Sequence, residues 1–318
     1  MKNTKIEWCD STWNPWVGCT KVSPGCANCY AEKDTPARVF GVKWGGELRI
    51  SSPATWRQPA AWNKRWLCEC GALMVSAGDI RLWQCPLCGS TARRRRRIFC
   101  LSQGDWLDPR VAPRVFADLV TTLLLNTNLI WLLLTKRPVL AIERLHELLE
   151  AVKVAELGLD PYNLRRVLKA WIVEAPPKHI WFGVSAENQQ WFDRRMEERS
   201  LPGAGRNFVS LEPLLGPVNL HSLADTNWVI VGGESGPNAR ECSIDWIFSV
   251  VEQCRAAKVP VFVKQLGSNA WIGDGAGRVP FHTEHPKGGD PGEWPEALLV
   301  REFPVFDGFV SSPVVGRN

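Results

Sequence analysis

The sequence predicts an α/β fold: a partial (β/α) barrel of about six to seven mainly parallel strands, with a zinc-ribbon-like insertion. Three observations predict it. Short continuous apolar runs recur along the chain, helical patterns fill several of the gaps between them, and each run breaks off on its C-terminal side into polar residues or glycine. Unbroken apolar runs of this length read as strands buried on both faces. Their alternation with helices argues for βαβ units and a parallel sheet.

The elements follow in order. A first short strand is expected over residues 5–8. The run 97–102 leads into Gly104 and Asp105, and 129–134 leads into Thr135, Lys136 and Arg137. The run 179–184 leads into Ser185, Glu187 and Asn188, and 207–209 into Ser210 and Glu212. The last two, 228–231 and 259–263, lead into Gly232, Gly233 and Glu234, and into Lys264 and Gln265. Apolar residues at three- and four-residue spacing predict helices over 111–125 and 138–154, and helices also suit 188–199 and 243–257. Residues 155–177 read as a helical insertion. In such folds reactive groups gather at the carboxyl ends of the strands, so these polar residues are expected to line one cleft. The domain reading is a barrel from 1–66 and 92–267, a zinc ribbon at 67–91, and a C-terminal covering segment at 268–318.

Composition narrows the class. With 45% hydrophobic and 22% charged residues, the chain is neither disordered nor a coiled coil. No apolar run reaches the roughly 18 residues that span a bilayer, so no membrane contact is expected. The N-terminus is polar and does not read as a signal peptide, and the expected compartment is the cytoplasm. Eleven cysteines in that compartment are more plausible as ligands or free thiols than as disulfides. No Walker loop, dinucleotide fingerprint or Ser-His-Asp order is present.

Cys19, Cys26 and Cys29 fall within eleven residues, with Gly and Pro between them. Such a loop can wrap a small inorganic centre. A structural zinc ion wants four ligands, and Cys9 could supply the fourth. Alternatively, three cysteines can hold a [4Fe–4S] cluster with one iron left open. Spacing alone leaves both readings standing.

The words around these cysteines go further. The stretch Thr12-Trp13-Asn14-Pro15, Gly18-Cys19, Cys26, Cys29-Tyr30-Ala31 resembles the phage-associated three-Cys-motif family. The resemblance continues through Leu134-Thr135-Lys136-Arg137-Pro138, Gly183 to Asn188, Ser210 to Leu215, Gly232 to Gly236 and Lys264-Gln265, and ends near Trp294-Pro295. That family looks like a branch of the radical S-adenosylmethionine superfamily and is loosely similar to spore photoproduct lyase. Here six residues separate the first two cysteines, where the superfamily has three.

The resemblance implies a [4Fe–4S] cluster on Cys19, Cys26 and Cys29, whose open iron chelates S-adenosylmethionine. One electron from a donor then yields a 5′-deoxyadenosyl radical, and the protein's part is to orient and shield. It also implies roles for single positions. Asp105 stands where the methionine amino group is held, and Ser185, Glu187 and Asn188 stand where the ribose is met. Ser210 would complete the pocket, and Gly232 and Gly233 would let backbone approach the cofactor. Glu212, Glu234 and Lys264 are the candidate catalytic side chains. Lys136, Arg137 and Arg240 would add positive charge for a carboxylate or phosphate.

A second cluster, Cys68-x-Cys70 and Cys85-x2-Cys88, reads as two knuckles closing a tetrahedral zinc site, with Gly71 and Gly89 following the pairs. Its role would be structural, stabilising an insertion too small to build its own core. The run Arg93, Arg94, Arg95, Arg96 beside it suits a nucleic-acid backbone. The expected function is therefore a radical S-adenosylmethionine enzyme acting on a nucleic acid or nucleotide. Two other readings are a non-catalytic nucleic-acid-binding protein with two structural zinc sites, and a hydrolase built on Glu187, Glu212 or Glu234. His282 and His285 are further acid–base candidates in the covering segment.

Overall fold

A computed structural model describes residues 4–33, 35–76, 83–151, 161–199, 201, 206–221, 223–273 and 277–305. Seven strands form one sheet: β1 (Ser11–Trp13), β2 (Arg96–Cys100), β3 (Leu129–Thr135), β4 (Ile180–Ser185), β5 (Asn207–Leu211), β6 (Trp228–Gly232) and β7 (Val261–Gln265). Their order in space is their order in the chain, and every pairing is parallel. The sheet curls into a half-barrel. The predicted first strand at 5–8 is instead turn and irregular chain, and β1 begins three residues later. A turn closed by Cys9 N and Ile6 O at 3.2 Å carries Trp8 into the lumen, its ring 4.5 Å from that of Phe99 at a 45° tilt.

Besides two short helices at Tyr30–Lys33 and Thr35–Phe40, six longer helices accompany the strands among the described residues: α1 (Pro53–Asn63), α2 (Pro113–Leu125), α3 (Leu140–Ala151), α4 (Pro161–Val173), α5 (Gln189–Glu197) and α6 (Ile244–Ala257). Local chemistry sets several starts. Ser52 caps α1 ahead of Pro53, Asn188 caps α5 by accepting the Trp191 amide at 3.1 Å, and Ser243 caps α6. α4 occupies the predicted helical insertion; residues 152–160, including the end of the pattern 138–154, lie outside the described residues. No helix among the described residues is long and apolar enough to cross a membrane.

Side chains alternate across each strand, and the two faces differ. One carries Ile98, Leu133, Phe182, Val209, Val229 and Val263 into the large core shared with the helices. The other is the lumen, where Phe99, Ile130, Leu132, Trp181, Phe208, Ile230 and Phe262 pack around Trp8. Trp228 joins them and donates its indole N–H to Glu302 O at 3.0 Å. Residues 300–302 run along β7, with Val263 N bonded to Val300 O at 2.9 Å. The covering segment thus lays Phe303 against Trp228 and Phe262 in the lumen cluster. It also holds strand Ala270–Ile272, which pairs with Cys242–Ser243 on one side and with Val279–Phe281 on the other.

The insertion is made of short antiparallel pairs. Leu67–Cys68 pairs with Arg93–Arg94, and Val75–Ser76 with Trp83–Gln84. A small cluster of Met74, Cys68 and Cys85 packs against Trp66 and Trp83. The arginine run is drawn inward. Arg94 and Arg97 both clasp Asp10, at 2.7 and 3.0 Å, and Arg96 is buried with a bond to Ser11 Oγ at 2.8 Å. Arg93 stacks over Trp66, and Arg95 is half-buried. Arg94 and Arg97 thus tie β2 and the strand before it to the segment preceding β1, because Asp10 offers the carboxylate that their guanidinium groups need.

Candidate functional site: a three-thiol loop over the lumen

Period two decides what the open end of the lumen presents. Along each inward face an apolar residue is followed by a polar one at the strand end: Phe208 by Ser210 and then Glu212, Trp181 by Gly183 and then Ser185, Phe262 by Lys264. The result is a cavity of about 1150 Å3, counted out to its solvent-open mouth. Its apolar wall includes Ile6, Trp8, Phe99, Leu101 and Leu134. A polar ring of Lys136, Ser185, Ser210, Glu212 and Lys264 lies alongside.

The ring is bonded internally. Lys264 Nζ lies 2.8 Å from Glu212 Oε1, and Ser210 Oγ donates to Glu212 Oε2 at 3.2 Å. Lys136 Nζ donates to Ser185 Oγ at 2.5 Å. Burial works against the charge on Lys264, but Glu212 beside it outweighs that and raises its pKa above the ordinary lysine value. Asp105 accepts from Thr135 Oγ1 at 2.7 Å, from the amides of Leu107 and Lys136 at 3.0 Å, and from Arg137 at 2.9 Å. It lines the cavity with both oxygens already engaged.

Cys19, Cys26 and Cys29 all line the same cavity, on the connection that leaves β1. Pro24–Cys26 forms a single 3-10 turn. Arg137 donates to Thr20 O at 2.9 Å and reaches Cys19 Sγ at 3.6 Å. The Cys19 thiol is pushed up to about 12 by burial and by Asp105, with Arg137 opposing. Burial also raises Cys29. Cys9 is elsewhere, in the aromatic cluster of the lumen with its thiol toward Ile6 O.

The remaining candidates sort by position. Glu234 lines the cavity, but its carboxylate meets Arg240 at 2.6 Å and Asn28 Nδ2 at 3.0 Å. Glu187 is fully buried between the Gly25 amide at 2.9 Å and Arg195 at 2.8 Å. Asn188 is the α5 cap. Gly233 lines the cavity, yet the close approach it permits is to its own chain: a Cβ there would sit 2.1 Å from Leu266 O. Gly232 likewise faces Gln265 O. His282 and His285 are exposed and outside the cavity lining.

Sequence reasoning missed Asn14, Tyr30, Asn28 and Arg195. Asn14 Oδ1 accepts the Gln103 amide at 2.9 Å, and Tyr30 donates to Ser102 O at 2.8 Å, so the two join the β1 and β2 ends. The polar residue inside the Cys26–Cys29 pair was the signal available for Asn28. Nothing local marks Arg195, whose partner lies eight residues upstream, beyond the α5 cap.

The second cysteine cluster forms a compact quartet. The ligand atoms of Cys68, Cys70, Cys85 and Cys88 all lie within 4.8 Å of one another, and the group can hold a metal ion. Neighbouring sulfurs are 3.5, 3.6 and 3.9 Å apart. Tetrahedral thiolates about 2.3 Å from one ion would stand about 3.8 Å apart. Burial pushes the Cys68 thiol up to about 12. For Cys85 burial also opposes ionisation, but the Cys88 and Leu87 amides prevail and bring it down to about 6. Among the described residues it is the one such group found.

Comparison with known proteins adds one finding. No curated protein and no solved structure matches this chain. A family described as a protein of unknown function, DUF5131, matches residues 3–286, from before β1 to beyond β7, and the chain belongs to that family.

Proposed function

We propose that the protein is a radical S-adenosylmethionine-type iron–sulfur enzyme acting on a nucleic acid or nucleotide. The observation that carries this reading is the convergence of Cys19, Cys26 and Cys29 on one cavity at the carboxyl end of a parallel half-barrel. Three thiols on a short loop, with Cys9 turned elsewhere, suit a centre with one open position better than a closed four-thiolate zinc site. These three would hold the cluster. When bound, a reduced cluster supplies one-electron cleavage of S-adenosylmethionine, and an electron donor is the implied partner.

The chain's own residues would do the rest. Lys136 and Arg137 bring positive charge to a carboxylate or phosphate, and Ser185 and Ser210 offer hydroxyls to a polar ligand. The aromatic wall and the Trp8 plug keep water from the floor of the lumen. Tyr30 and Trp44 at the lining, together with a net charge of +5, suit a base-bearing anionic substrate. In the Cys68–Cys88 quartet the proposed ion is zinc, in a structural role, since four thiolates leave no open position. The hydrolase reading has less support, because Glu187, Glu212 and Glu234 are each held in an ion pair.

The test is anaerobic reconstitution with iron and sulfide. The expected product is a brown protein that forms 5′-deoxyadenosine from S-adenosylmethionine under a reductant, with both properties lost in Cys26→Ala. A colourless protein that carries two zinc ions, one of them lost in Cys26→Ala, overturns the reading in favour of a binding module.

A further inference from the structure

We infer that Glu187 and Glu234 are positioning residues that hang the three-thiol loop from the barrel, each carboxylate held in place by its own arginine. The inference rests on the reading of that loop as the cluster site. It gives both carboxylates a role other than ribose binding or proton transfer.

The loop has little structure of its own. Between Cys19 and Cys29 its internal backbone bonds are those of one turn, Cys26 N to Ser23 O at 2.9 Å and Ala27 N to Pro24 O at 3.1 Å. Ordering such a segment costs about 1–2 kcal/mol per residue, so its shape must come from outside contacts. The first is Glu187 at the end of β4. Its Oε1 accepts the Gly25 amide at 2.9 Å, and its Oε2 is paired at 2.8 Å with Arg195, which also donates to Ser185 O. Both side chains of this pair are fully buried. The fit leaves no room at Gly25, where a Cβ would stand 3.0 Å from Glu187 Cδ.

The second contact is Glu234 beyond β6. Its Oε2 accepts Asn28 Nδ2 at 3.0 Å and the Arg240 amide at 2.9 Å, while Arg240 Nη1 donates to Pro24 O at 2.8 Å. Asn28 also donates to Asn238 O at 3.0 Å. The residue before Gly25 and the residue before Cys29 are thus fixed by one ion pair. Glu187 and Glu234 lie below the usual carboxylate range, since burial raises each and its arginine outweighs the burial. Carboxylates held ionised in this way make good anchors and poor general acids at neutral pH.

The clamps consist of protein atoms alone, so they can be tested on metal-free full-length protein. The measurements are peptide-resolved hydrogen–deuterium exchange over residues 19–31 and the rate of iodoacetamide labelling at Cys26 and Cys29. Arg240 is one-third exposed, so Arg240→Ala leaves the core intact. We expect exchange and labelling in the loop to rise at least about tenfold in Arg240→Ala and in Glu187→Gln, with β3 to β6 unchanged. Arg240→Lys, which keeps the pairing with Glu234, should recover a substantial part of the protection. Loop exchange and labelling that are unmoved in both variants, or an Arg240→Lys no better than Arg240→Ala, would overturn the clamp. Iron uptake separates the two ideas: a protected wild-type loop that takes up no iron sinks the cluster reading and leaves the clamps standing.

Discussion

The ring of Phe208 fills the space where residue 183 would carry a side chain: a Cβ on Gly183 would lie 2.2 Å from Phe208 Cζ. The two residues are directly paired between β4 and β5. The glycine is what lets a large ring from the next strand lie across the lumen, under Ser185 and Ser210. Gly183→Ala should therefore cost about 2–3 kcal/mol through overpacking, and Phe208→Ala about 3–5 kcal/mol through cavity formation. The pair should be strongly non-additive, with Gly183→Ala nearly neutral in a Phe208→Leu background. Urea unfolding of the wild type and these four variants checks this; additive costs would refute the contact.

Asp10 accepts hydrogen bonds from Arg94, Arg97 and the Arg97 amide. Burial works against its charge, but Arg97 and Arg94 hold its carboxyl far below the ordinary value of 3.8. A depressed folded pKa means stability that is fully present above about pH 4 and lost as pH falls toward the folded value, because the unfolded chain takes up the proton first. Stability should decline steeply below about pH 4, and Asp10→Asn should lack that part of the slope. At neutral pH Asp10→Asn should cost about 3 kcal/mol by leaving two arginines without their partner. Chemical denaturation across this pH range measures both effects.

The thiol quartet should bind one metal ion per chain, independently of the three-thiol loop. Cys70→Ser or Cys88→Ser should lower zinc content by one equivalent, and Cys19→Ala should not. Acidification should release the ion as the thiolates take up protons. The barrel should survive the loss, because the quartet's cluster with Met74, Trp66 and Trp83 is separate from both large cores. Metal analysis paired with thermal unfolding checks this, and collapse of the whole chain on metal removal would count against it.

Lys264 and Glu212 form the charged part of the lumen ring at 2.8 Å. Lys264→Met should cost about 2 kcal/mol, a figure reduced for their partial exposure, by leaving Glu212 unpaired. The double variant Lys264→Met with Glu212→Leu should regain most of that loss. A double variant no more stable than the single one would show that the pair does more than balance charge.

Six of the seven sheet strands and the helices at 111–125, 188–199 and 243–257 are local properties, set by apolar runs, spacing and caps, and the chain states them directly. The same holds for the quartet, whose ligands lie on two tight knuckles. Partnership across long sequence separation is different. Nothing near Glu187 announces that its carboxylate will meet the amide of Gly25, 162 positions earlier, or that Asp10 will gather the arginines beyond the insertion. An acidic residue at a strand end reads the same whether it faces a ligand or a loop. Its role is decided when the chain closes and burial obliges each charge to find an opposite one. The fold was thus legible in pattern, whereas the division of polar residues between cavity and scaffold came only from which charges the curled sheet brought within reach.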